Sequence, residues 1–164
     1  NVLKGVDLRE TIMQMAKDTV IESVEKYIDV KPRNYFKYFN SLYSAFMPDG
    51  TLLMPDIANM TRDEVIDNTM EIVKRVYELK MMMVPDYELA QQEKDILLEV
   101  VDTYWVDHID LMDQMRQSVG LVSVAQKDPV KEYTIEGYKM FESLNRKIRR
   151  ETLKFVFTFD EEDE

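Results

Sequence analysis

Cysteine is absent from all 164 residues, which removes disulfides, thiolate nucleophiles and zinc-thiolate sites together and suits a reducing compartment such as the cytoplasm. Histidine occurs once, at His108, so the chain cannot supply the two Glu-x-x-His motifs of a di-iron bundle, and no metal site is expected. Only four glycines are present, none in a run that could cradle a phosphate, which places nucleotide chemistry outside this chain. The longest apolar run is Met81 to Val84, far short of the roughly 20 residues of a membrane-spanning helix. The N-terminus lacks a signal-peptide pattern. Basic residues are also scarce, with 21 Lys and Arg against 32 Asp and Glu and a net charge of -11. Phosphate backbones and anionic membranes both select the opposite balance, so nucleic acid is not an expected partner. Only Arg146 to Arg150, with Lys147 between, approaches a basic cluster.

What remains is 45% hydrophobic and 32% charged, the composition of a folded globular chain of one or two small domains. From Asp7 to Ile28, the positions Leu8, Ile12, Met15, Ala16, Thr19, Val20, Ser23, Val24 and Tyr27 recur at helical spacing, with Asp7 and Glu10 placed as a capping box. Lys31-Pro32 closes that helix, and the aromatic stretch Asn34 to Phe46 reads as a second, short one. Residues 47 to 60, which hold Met47-Pro48-Asp49-Gly50 and Met54-Pro55-Asp56, read as loop. Thr61 and Glu64 then cap a helix that carries Val65, Ile66, Thr69, Ile72, Val73, Val76 and Tyr77 and breaks near Pro85.

Tyr87 to Val119 reads as one uninterrupted helix of about 33 residues, about 50 Å long. Its seam is Leu97, Val101, Tyr104, His108, Leu111 and Met115, at alternating spacings of four and three. After the break Ala125 to Pro129, Asp128 caps a further helix through Tyr133, Tyr138, Phe141, Leu144 and Ile148. So short a connection folds the two helices back antiparallel, with the break at the tip of a finger. Phe155 to Phe159 is the single stretch with strand-like alternation. The expected fold class is all-α: a compact helical unit followed by a long helical hairpin. The last residues, Asp160 to Glu164, form an acidic tail expected to be disordered.

No catalytic constellation emerges. Asp107 and Asp110 lie one and two residues from His108 and so do not face it on a helix, whereas Tyr104 and Met112 do. His108 reads as a packing-seam histidine and Trp105 as a packing anchor. Acidic pairs such as Glu93 with Asp95 and Glu99 with Asp102 read as a solvated face. Asp113 and Arg116 read as an exposed ion pair.

Taken together, Trp105-x-x-His108, Met112-Asp113, Arg116-Gln117, Ala125-Gln126-Lys127-Asp128-Pro129, Glu132-Tyr133, Glu136 and Met140-Phe141 resemble the C-terminal region of SecA, the bacterial ATP-driven preprotein translocase motor. The resemblance covers nearly the whole chain. It implies the end of a scaffold helix at residues 1–6, a helical wing domain at 7–83, and helical scaffold with two-helix finger at 86–158, before the acidic tail at 159–164. Trp105, His108, Asp113, Arg116, Asp128, Pro129 and Tyr133 would be the structural motif. Leu121, Val122, Ser123, Val124, Ala125, Gln126 and Lys127 would be the tip that faces preprotein or channel.

The resemblance further implies that ATP and magnesium belong to motor domains preceding this region, and that this fragment carries no cofactor and no enzymatic activity. The start at Asn1 rather than methionine agrees with a piece of a longer protein. The implied partners are a preprotein, the Sec channel and the motor's own ATPase domains, with the protein cytoplasmic and peripheral at the inner face of the bacterial plasma membrane. The tip departs from the family's Leu-Arg-Gly pattern: Val122 replaces the usual Arg, Ser123 the Gly and Val124 a bulky residue. That divergence points toward an accessory SecA paralogue. The rival reading is a free-standing helical adaptor that binds partners through Tyr35 to Phe46 and Met81 to Val84.

Overall fold

A computed structural model describes residues 8–46, 57–122 and 129–158, with only the backbone of residues 119–122 and 129. Five helices fill it: α1 (Arg9–Tyr27), α2 (Tyr35–Phe46), α3 (Arg62–Met83), α4 (Asp86–Val122) and α5 (Pro129–Val156). No strand occurs among the described residues, so the chain is all-α. Phe155 and Val156 form the end of α5 rather than a strand.

The local signals act through identifiable bonds. Asn34 accepts from the Lys37 amide at 3.1 Å and so caps α2, and Thr61 accepts from the Glu64 amide at 3.2 Å at the start of α3. The Glu64 carboxylate returns to the Thr61 hydroxyl at 3.2 Å. α1 stops at Tyr27, before the proline, because the Asp29 amide turns back to the Val24 carbonyl at 2.9 Å and the Asn34 amide closes on Tyr27 at 2.7 Å. The Lys31-Pro32 peptide in that turn is cis. Val84, ahead of Pro85, is extended (φ -128°, ψ 134°), which ends α3. The Asp7 cap, the loop at 47–56 and the Asp128 cap lie outside the described residues.

By internal contacts the chain divides into two units. The first takes residues 8–46, 57–96 and 149–158, and the second takes 97–122 and 129–148. The first therefore includes the opening turns of α4 and the closing turns of α5. Its core gathers Ile12, Ala16, Val20 and Val24 of α1, Tyr38, Leu42 and Phe46 of α2, and Val65, Val73 and Val76 of α3. Leu89, Leu153, Val156 and Phe157 complete it from the hairpin's roots. Of the aromatic stretch, Tyr38 and Phe46 are buried, Tyr35, Phe39 and Tyr43 are half-buried, and Phe36 is 76% exposed.

Tyr38 illustrates how a polar group is accommodated in that core. The Thr69 hydroxyl donates to the Val65 carbonyl at 2.7 Å, so in the 2.6 Å contact between Tyr38 and Thr69 the phenol is the donor. Burial pushes the Tyr38 phenol above its ordinary 10.0. A folded-state value raised above the unfolded one means that the stabilisation is present below about pH 10 and is lost as pH climbs through the folded value. Tyr38→Phe should therefore cost about 1 kcal/mol at neutral pH. The gap between the two proteins in urea unfolding should narrow as pH rises above about 10; a gap that stays constant would contradict the buried, neutral phenol.

Candidate functional site in the helical hairpin

The second unit is two helices thick. Leu144 faces Tyr104 across a narrow cleft, the Phe141 ring meets His108 edge-on at 6.4 Å, and a Cβ placed on Gly137 would lie 3.6 Å from Met112 and 3.8 Å from Met115. Partners ascend on one helix as they descend on the other, which is the antiparallel hairpin expected of so short a connection. Gly137 lets α5 sit close to two flexible methionines.

The seam on α4 largely follows the predicted spacing. Leu97, Val101, Tyr104, His108 and Met115 are half-buried, while Leu111 is more exposed and Met112 turns inward instead. On α5 the inward residues are Gly137, Met140, Leu144 and Ile148. Tyr138 is 64% exposed and Phe141 only partly covered. Tyr133 and Tyr138 are five residues apart, a rotation of about 140° at about 100° per residue, so a single stripe cannot hold both. The Glu142 carboxylate, through a hydrogen bond and its charge, pushes the exposed Tyr138 phenol upward.

His108 lies between two rings, with Trp105 at 5.5 Å on its own helix and Phe141 opposite. Trp105 is 46% exposed, so it covers the histidine from outside rather than anchoring a buried core. Asp113 and Arg116 form an ion pair at the surface, and Tyr133 stands on the hairpin's outside. The backbone of Leu121 and Val122 ends α4, and Pro129 begins α5. Ser123, Val124, Ala125, Gln126, Lys127 and Asp128 lie outside the described residues.

The cleft beside His108 holds about 70 Å³, with Tyr104, Asp107, Ser143 and Lys147 on its walls. Small-molecule sites run to roughly 300 Å³ and more, so this cleft admits water and not a substrate. Among the described residues no three acidic, histidine or cysteine side chains converge as metal ligands, and no helix is long and apolar enough to cross a membrane. The basic cluster is also partly spent inward: Arg149 donates to Thr19 at 3.1 Å and pairs with Glu22.

Glu93 overturns one expectation. It lies not on a solvated face with Asp95 but 2% exposed in the first unit, where it accepts from the Tyr77 hydroxyl; Asp95 is outside, bonded to Gln91 at 2.8 Å. Lys80, 6% exposed, donates to the Val156 carbonyl. Spacing puts both in register with apolar stripes without showing what receives them. Lys80 continues the stripe Val73, Val76 and Tyr77, and Glu93 stands one turn beyond Leu89.

A helical bundle whose chain runs on into a two-helix hairpin, with its conspicuous side chains spent on packing, defines a helical scaffold class of protein. Residues 1–160 match the SecA wing and scaffold domain, and the chain belongs to that family. It is 50% identical over 159 residues to protein translocase subunit SecA 2 of Clostridioides difficile, covering 97% of this chain and 20% of that protein. With protein translocase subunit SecA 1 of the same organism it shares 36% identity over 156 residues, 95% of this chain and 18% of the other. With protein translocase subunit SecA of Clostridium beijerinckii it shares 34% over 160 residues, 95% and 19%. The chain spans about a fifth of the length of these relatives.

Proposed function

We propose that this chain is the wing, scaffold and two-helix finger of a SecA-type motor that drives preproteins across the bacterial plasma membrane through the Sec channel. The observation that carries the reading is the motif run on the hairpin, Trp105 to Phe141, in a chain 50% identical to a translocase subunit over 97% of its length. ATP and magnesium belong to domains outside this chain, which itself hydrolyses nothing, and the hairpin carries their work to the moving polypeptide. The tip, Leu121 to Lys127, meets preprotein or channel while the whole motor stays peripheral to the membrane. Identity to SecA 2 exceeds identity to SecA 1 of the same organism, 50% against 36%. Together with Val122, Ser123 and Val124 at the tip, that favours an accessory motor serving a restricted set of exported proteins.

The test is export by the full-length protein carrying Val122→Asp, Val124→Asp and Lys127→Asp together. Transport should fall about tenfold, the effect of about 1.4 kcal/mol lost at the working step. Undiminished export would sink the tip assignment.

A further inference from the structure

The first unit buries a lysine and a glutamate, Lys80 and Glu93, that the proposed finger does not use. Lys80 and Tyr77 both come from the last turns of α3, yet they reach different helices. Tyr77 donates to Glu93 near the start of α4, and Lys80 donates to the carbonyl of Val156, the last residue of α5. That carbonyl is one of the final four that no helix can satisfy internally, and the negative end of the helix dipole lies there, so an ammonium is the matching partner. Phe157 follows immediately and packs edge-on against Phe46 at 5.1 Å and beside the Tyr77 ring at 6.0 Å. Two turns earlier Arg149 fastens α5 to Thr19 and Glu22 of α1.

We infer that Tyr77, Lys80 and Glu93 form a polar latch that fixes the register of both hairpin roots on α3, so that load carried along α4 and α5 passes into the wing. The inference rests on the reading of the hairpin as a motor's finger. Apolar contact alone is non-directional and tolerates sliding of one helix past another. Hydrogen bonds from buried groups are directional, and a slip would break the Tyr77–Glu93 and Lys80–Val156 bonds inside the core. The three are positioning residues: their work is geometric, and apolar groups of similar shape would supply equal stability without the register.

The decisive variant is full-length protein with Tyr77→Phe, Lys80→Met and Glu93→Leu together. Its unfolding midpoint should match or exceed wild type, since apolar replacement of a buried polar cluster is often neutral or stabilising. Amide exchange over residues 149–156 should nevertheless accelerate about tenfold or more, and preprotein exported per ATP hydrolysed should fall. Glu93→Gln, which keeps an acceptor for the Tyr77 hydroxyl, should retain export. Wild-type exchange and wild-type export per ATP in the triple variant would overturn the latch, as would an equal loss in Glu93→Gln. Should the triple variant not fold, Lys80→Met alone decides through exchange over 149–156, where an unchanged rate overturns it. A full-length protein that exports nothing with its latch intact would instead overturn the motor reading.

Discussion

Phe157→Ala is expected to destabilise the first unit by about 3–5 kcal/mol, the usual cost of emptying a buried phenylalanine site. The ring is 1% exposed and wedged between Phe46 of α2 and Tyr77 of α3, with Leu153 and Val156 fully buried beside it. Its backbone amide already bonds the Leu153 carbonyl at 2.9 Å, so the main chain stays in place when the ring is removed. Close packing limits how far the surrounding helices can collapse into the resulting cavity. Against a total stability of about 5–15 kcal/mol, such a loss partly unfolds the unit at physiological temperature. Urea unfolding followed by circular dichroism measures it. A loss below about 1 kcal/mol would show that the ring does not close the core. Phe157→Leu should recover most of the stability, since volume is largely kept.

Leu144→Ala should act on the hairpin instead, at about 2–3 kcal/mol. Leu144 is the one residue of the second unit on α5 that is fully buried, and with only two helices present no third layer shares its load. The expected value sits in the lower half of the range for Leu→Ala because the adjoining cleft of about 70 Å³ already lets water approach, so the new space does not stay empty. Hydrogen exchange resolves the outcome. Protection should drop over residues 104–115 and 137–147, while the segments of α1 and α3 keep theirs. Retained protection in the hairpin would contradict the role of Leu144 as its main contact. Phe157 and Leu144 belong to different units, so the two effects should add in the double variant.

How legible these sites are in the sequence differs for definite physical reasons. Helix starts are written locally: Thr61 with Glu64 needs only a hydroxyl, a carboxylate and a spacing of three, and Pro85 acts on the single residue before it. Periodicity likewise reveals the seam from Leu97 to Met115, because helical geometry repeats whatever lies opposite. Its detail fails at Leu111 and at Tyr138, where hydrophobicity alone does not say which side of a two-helix pair is covered.

The amino-acid sequence by itself determined the all-α class, the long hairpin and the SecA family, since spacing, capping and the motif run are properties of neighbouring residues. Only the tertiary structure decided that Lys80 and Glu93 are buried, that Tyr38 donates to Thr69, and that the start of α4 and the end of α5 belong to the first unit. Each of those depends on groups far apart in the chain. A lysine or glutamate goes inside only when a distant helix offers it a carbonyl or a hydroxyl, and spacing along one helix cannot report what another helix brings.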